Sequence, residues 1–307
     1  MLDKTTLNPD SANAPRWIVT DPSTAQAKFN RQSFEVSHHL SSHPLFQLPK
    51  LLELAERTAR LRPDDLYFDM GEVRPGQRWD QIPKAEFSAV QAMKQLESAG
   101  AWFIFKHTQR DPEYRDLFDR GLKEIKEIAG NGVESQIRQQ DIIIFVTSPK
   151  RVTPYHIDRE CNFLLQISGT KKIHVFDRDD GDVLPDEEIE RFWAVDNNAP
   201  VFRPEYQDRA MTYKMTPGSG VHIPVNFPHW VENDDNISVS LSVNFQFLDS
   251  MRANLYRTNY FLRKLGMHPS PPGLHNTRDA AKSFAMTCVL AARRIVRGDH
   301  RGDRIWN

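Results

Sequence analysis

The residues best suited to chemistry in this chain are His156, Asp158 and His229. The first two stand in Thr-Pro-Tyr-His-Ile-Asp at 153–158, and the third opens His-Trp-Val-Glu-Asn at 229–233. On an extended segment His156 and Asp158 project to the same side, so an imidazole and a carboxylate can address one metal ion. A third ligand must then arrive from another strand. Two histidines and one carboxylate leave coordination positions open, the arrangement that non-haem Fe(II) uses to activate oxygen. Taken alone, His-x-Asp also reads as a turn histidine paired with its neighbour. His222, seven residues before His229, competes for the place of the distal ligand. His174 lies in an apolar run and reads as a core or edge histidine. His38, His39 and His43 precede Pro44 without a carboxylate neighbour and read as surface.

The elements that must position these groups begin near residue 140. Short β-rich runs at 141–147, 161–168, 171–177, 211–216, 220–225 and 237–247 are separated by Pro, Gly, Asp and Asn, the pattern of an antiparallel sandwich or barrel. Within the last run Ser240, Ser242 and Asn244 alternate with Val239, Leu241 and Val243, so one face is small and polar. Lys171 and Lys172 must face opposite sides of their strand. Upstream, helices are expected at 48–61, 84–99 and 111–129, with a short aromatic strand at 101–106. The segment 178–196 is acidic and holds a short helix at best. After 249 the spacing of Met251, Leu255, Leu262 and Leu265 is helical, and a Pro-rich break at 269–273 precedes a helix at roughly 276–297. The expected organisation is a loosely ordered arm (1–30), a catalytic unit (31–248) with a helical part (31–130) and a β-core (about 140–248), and a C-terminal helical segment (249–307). The C-terminal helices either pack on the outer sheet or join two copies in a homodimer.

Composition narrows the class. The 307 residues carry a net charge of -1, which gives no electrostatic case for nucleic acid or an anionic membrane. Arg293, Arg294, Arg297, Arg301 and Arg304 make a basic C-terminus, diluted by Asp299 and Asp303 and read as a solvated helix end. Cys161 and Cys288 form neither a disulfide framework nor a CxxC pair. No apolar run approaches a membrane span. A soluble, cytoplasmic protein is expected.

The surroundings of the candidate ligands carry a family resemblance. Gly218-x5-Pro224-x-Asn226-x2-His229-x3-Asn233 resembles the second cupin motif, with Asn226 where glycine is usual. His156-x-Asp158, followed by Asn162 and Gly169, has the spacing of the first, with Asp for its second histidine and Asn for its glutamate. The stretch TPYHIDRECNFLLQISGTKKIHVFD is similar to the Jumonji C-type, cupin-like branch of the Fe(II)- and 2-oxoglutarate-dependent dioxygenases, most of all the asparaginyl-hydroxylase kind. The resemblance covers roughly 140–248. It implies a mainly β fold with flanking helices around a double-stranded β-helix core. It also implies hydroxylation of a protein side chain or small metabolite, with release of succinate and CO2. By position it makes His156, Asp158 and His229 the iron ligands. Thr153 and Lys171 match the groups that hold the distal carboxylate of 2-oxoglutarate, and Asn162 and Asn244 match polar residues lining its pocket. An aromatic hydroxyl that often assists there has no assignable counterpart: Trp102 lies near the expected region and lacks one, and Tyr155 points away from the site. A cupin that binds a ligand without turnover, or a zinc or manganese cupin isomerase or hydrolase, would share much of this pattern.

Overall fold

The computed structural model describes residues 16–82, 88–130, 134–247 and 250–297. Twelve strands and seven α-helices are found among them. In chain order they are β1 (Ile18–Val19), α1 (Pro22–Lys28), β2 (Phe34–His38), α2 (Leu48–Leu61), β3 (Leu66–Asp69), α3 (Ala89–Lys94), β4 (Trp102–Phe105), α4 (Pro112–Ala129), β5 (Ile137–Thr147), β6 (Val152–His156), β7 (Cys161–Ser168), β8 (Lys171–Val175), α5 (Asp186–Ala194), β9 (Met211–Met215), β10 (Ser219–Ile223), β11 (His229–Asn233), β12 (Ser238–Phe247), α6 (Ser250–Lys264) and α7 (Asn276–Arg297).

The strands form two antiparallel sheets. The larger has the order β1-β2-β10-β7-β12-β5-β4-β3, and the smaller β6-β11-β8-β9. Leu164, Val221 and Ile223 of the large sheet pack against Ile173, Val175, Tyr213, Met215 and Val231 of the small one, so the sheets face each other across a shared interior. This is the double-stranded β-helix expected from the resemblance. Alternation along β12 decides which side chains enter that interior. Val239, Leu241, Val243 and Phe245 turn to the outer core, where helices cover the large sheet, while Ser242 and Asn244 turn inward.

The N-terminal part is less helical than expected. Besides β4, strands β1, β2 and β3 come from it and widen the large sheet at both edges. Strand β2 buries Phe34, Val36 and His38 in strict alternation. The segment 16–30, expected to be a loose arm, is ordered from Ile18 to Phe29. The Glu124 carboxylate accepts the backbone N–H groups of Trp17 (2.7 Å) and Ile18 (2.9 Å), and Asp21 caps α1; residues 1–15 lie outside the described residues. The helix expected at 84–99 is confined to Ala89–Lys94, started by a Ser88–Gln91 capping box, and 83–87 also lie outside. Helix α4 follows the expected pattern: Asp111 caps Glu113 N–H, Pro112 occupies the first turn, and Tyr114, Leu117, Leu122, Ile125 and Ile128 are buried.

The acidic segment 178–196 folds as α5 and the loops around it, and its charge is neutralised internally. Buried Glu188 is held by Arg203 and buried Glu190 by Arg263 of α6 (2.7 Å). Helices α5, α6 and α7 therefore form a layer of their own, with α6 between the other two. Phe284 and Val289 of α7 remain exposed. Among the described residues no helix is long and apolar enough to cross a membrane.

Candidate metal centre and cosubstrate pocket

Strand β6 ends at His156 and β11 begins at His229, and the register places the two directly opposite each other. Their ring centroids are 4.2 Å apart. His156 Nδ1 lies 2.7 Å from Pro154 O, and His229 Nδ1 lies 2.9 Å from Phe227 O. A carbonyl only accepts, so both Nδ1 atoms carry a proton, which in the neutral imidazole leaves Nε2 as the lone-pair atom. Those Nε2 atoms flank the Asp158 carboxylate at 3.9 Å for His156 and 3.6 Å for His229, too far for a hydrogen bond. One ligand atom from each of the three residues falls within 4.8 Å of the others, in the one group among the described residues that could hold a metal ion. Burial, reinforced by the neighbouring His156 and opposed by Asp158, pulls the His229 pKa down to about 4. His229 is therefore neutral at physiological pH, the state a metal ligand requires.

A cavity of about 770 Å³ opens over these three side chains, and Thr153, Asn162, Lys171 and Asn244 also line it. All seven residues singled out from the sequence thus meet around one space. Lys171 begins β8, is 6% exposed and donates to Ser240 Oγ at 2.5 Å. Lys172 points the other way and pairs with Glu232 at 3.0 Å, which resolves the choice between adjacent lysines. Burial pulls the Lys171 pKa down to about 7. Asn162 and Asn244 stand opposite each other across β7 and β12. Ser242 Oγ donates to Asn244 Oδ1 at 2.9 Å, whereas Asn162 Oδ1 and Asn244 Nδ2 are buried with no partner among the described residues. Buried amides are ordinarily satisfied, so this pocket has the chemistry of a polar ligand's cradle.

Two motif positions have residue types that their backbone conformation explains. Gly169 leads into Lys171 with φ of +71°, and an added Cβ would lie 2.2 Å from both Asn236 Oδ1 and Ile237 O. Asn226, at the usual glycine position, has φ of +64°. It is the third residue of a turn closed by Phe227 N–H donating to Pro224 O at 3.3 Å, and asparagine is the residue that best replaces glycine there.

The other histidines weighed as ligands, His222, His174 and the 38–43 cluster, do not line the cavity. His222 is fully buried behind the large sheet, bonded to Asn162 O (2.9 Å) and to Asn30 N–H (2.9 Å) and stacked on Phe29. His174 stacks on Trp230 and bonds Thr212 at 2.9 Å. The expected surface cluster is corrected at His38, which is 3% exposed and bonded to Gln166 O. As the last buried residue of β2 it is drawn into the sheet, and His39 alone of the three is exposed. Tyr155 turns away from the site to Val183 O.

Sequence reasoning missed the aromatic wall. Trp79 stacks on Trp102 (4.8 Å) and Trp102 on Phe145 (6.1 Å), while Trp79 meets His156 edge-on. Tyr67 also lines the cavity and carries a hydroxyl, which donates to Asp69 at 3.1 Å. Asp69 in turn pairs with buried Arg151, which also holds the carbonyls of Gly71 and Gly100. The aromatic pair Tyr67-Phe68, preceding the aromatic run at 101–106, was the available signal.

A family model described as a cupin-like domain matches residues 71–251, more than half of the chain. The chain belongs to the cupin-like domain family. It is also similar to the HSPB1-associated protein 1 homolog of Danio rerio, 31% identical over 112 residues, which are 34% of this chain and a quarter of that relative's length. Among solved structures, Escherichia coli ycfD superimposes with a TM-score of 0.52 at 14% identity, over 90% of this chain and 68% of that one. A second structure of YcfD, a ribosomal oxygenase from Escherichia coli in complex with cobalt and 2-oxoglutarate, gives 0.50 at 15% identity, over 90% and 67%. These likenesses establish the fold.

Proposed function

We propose that the chain is an Fe(II)- and 2-oxoglutarate-dependent oxygenase that hydroxylates a protein side chain or a small metabolite. The observation that carries this reading is the convergence of a two-histidine, one-carboxylate group and a buried lysine on one cavity. The donor set suits iron, since two neutral imidazoles and one carboxylate match its ligand preferences and leave positions open. The lysine suits an oxoacid, since no carboxylate pairs with Lys171 among the described residues and a bound anion would supply the counter-charge that its ammonium form needs in a buried site. YcfD, whose fold the chain shares, binds a metal (cobalt) together with 2-oxoglutarate.

In this reading His156, Asp158 and His229 hold the iron, and Lys171 and Thr153 take the distal carboxylate of the cosubstrate. Asn162 and Asn244 satisfy its remaining polar atoms with hydrogen bonds. Bound iron with 2-oxoglutarate supplies oxygen activation, coupled to decarboxylation to succinate and CO2. The chain contributes position and dryness. Leu164, Ile173, Ile223 and Val231 keep water from the pocket, and the Trp79–Trp102–Phe145 wall faces what enters above it. The cytoplasmic setting belongs to the same proposal, in keeping with two free cysteines, Cys161 and Cys288.

The test is anaerobic titration of 2-oxoglutarate into the protein with and without Fe(II). Binding that needs the metal and weakens at least about ten-fold in Lys171→Met supports the assignment. Binding indifferent to both overturns it.

A further inference from the structure

Resting on the reading of Asp158 and His229 as ligands, we infer that the turn 224–228 positions both of them and that Trp193 locks this turn through Asn226. The turn is the meeting point of two contacts at the site. Asn226 N–H donates to the Asp158 carbonyl at 3.0 Å, and Phe227 O accepts a hydrogen bond from His229 Nδ1–H at 2.9 Å. A shift of this short segment therefore moves a carboxylate and an imidazole together.

The turn is clamped from outside by side chains of three other segments. Trp193 Nε1, at the end of α5, donates to Asn226 Oδ1 at 3.0 Å. Arg178 donates to Val225 O at 3.1 Å and lies over the Phe227 ring. Asn30 Oδ1 accepts Val225 N–H at 3.0 Å. Trp193 is itself fixed from α6, where Arg257 Nε donates to Trp193 O at 3.1 Å and Arg257 Nη1 donates to Asn254 Oδ1 at 3.0 Å. Arg159, next to Asp158 in sequence, lies over the rings of Phe192 and Trp193. A continuous set of contacts thus runs from the C-terminal helices to the candidate carboxylate ligand.

Asn226 is the informative member. A positive φ at this place asks for glycine or asparagine. Glycine would meet the backbone requirement without engaging Trp193. Asparagine meets it and adds an acceptor, which is 2% exposed and already taken by the indole N–H. The side chain therefore has a role that the turn alone does not require, and holding the backbone that carries Asp158 is the role its contacts define. Trp193 and Asn226 are positioning residues, since neither lines the cavity.

The experiment is Co(II) titration, followed by visible absorption, of the full chain and of Asn226→Gly, Trp193→Phe, the double variant and Asp158→Ala. Asn226→Gly keeps the turn's φ and Trp193→Phe keeps the ring, so each removes one side of a single hydrogen bond. Each should weaken Co(II) binding about ten-fold, with an altered absorption spectrum, and the double variant should lose no more than either alone. Thermal unfolding of Asn226→Gly should stay close to wild type, separating positioning from stability. Wild-type affinity and spectrum in Asn226→Gly, while Asp158→Ala loses binding, overturns the inference and leaves the metal site standing. Co(II) binding unaffected by Asp158→Ala overturns the metal reading, and the inference with it.

Discussion

His156 and His229 face each other across a single antiparallel pair of strands, with Nε2 of each directed at opposite oxygens of Asp158. This register makes two distant motifs into one site, and β6 and β11 keep it only while the connecting segments keep their shape.

Lys171 should make the free protein more stable as pH rises. Its folded pKa of about 7 lies below the ordinary 10.5, so between these values the unfolded chain binds the proton and the folded chain does not. Stability then increases with pH across that window. Lys171→Met, which removes the buried amine at similar volume, should be about 1–3 kcal/mol more stable at pH 7. The advantage should shrink towards pH 10. Urea unfolding of the metal-free protein at both pH values checks it. A variant less stable at pH 7 would refute this account of the lysine.

His222 should act in the opposite part of the pH scale. Burial pulls its pKa from 6.5 to about 3, so the unfolded chain takes up a proton as pH falls below 6.5 while the folded chain refuses it. The stability it contributes is present above 6.5 and is lost as pH falls towards 3. His222→Phe leaves Asn162 O and Asn30 N–H without their partner. It should cost about 2–4 kcal/mol at pH 7 and flatten the acid limb of the stability profile, measured by urea midpoints from pH 7 to 4.

Gly169→Ala should destabilise the entry to β8. Its Cβ would collide with Asn236 Oδ1 and Ile237 O, the first of which accepts Thr170 N–H at 2.8 Å. The positive φ adds strain of its own. A loss of about 2–4 kcal/mol is expected, with weakened 2-oxoglutarate binding because Lys171 follows two residues later. Urea unfolding and ligand titration of the same variant read the two effects.

The parts of this arrangement that were legible in the sequence are those written in local pattern. Short β-rich runs bounded by turn residues gave β5, β7, β8, β9, β10 and β12, and spacing gave α2, α4 and α7. The two motifs gave the residues that gather round the cavity. The rest depends on contacts between distant segments. Strands β1 and β3 have two and four residues, too short for a period to show, and are held by pairing with neighbours. Trp79, Trp102 and Phe145 lie on three separate segments, and their stack exists because β4 pairs with β5. His38 is drawn inside by the alternation of β2, which its neighbours His39 and His43 obscure. The clamp of Trp193, Arg178 and Asn30 on one turn leaves no trace in spacing at all.

The most direct test is oxygen-dependent succinate formation from 2-oxoglutarate by protein reconstituted anaerobically with Fe(II). Wild type should form succinate only when both iron and oxygen are supplied, and His156→Ala and Asp158→Ala should reduce the rate at least about a hundred-fold. Succinate formed at the wild-type rate by either variant would contradict the assignment of His156, Asp158 and His229 as the reacting centre.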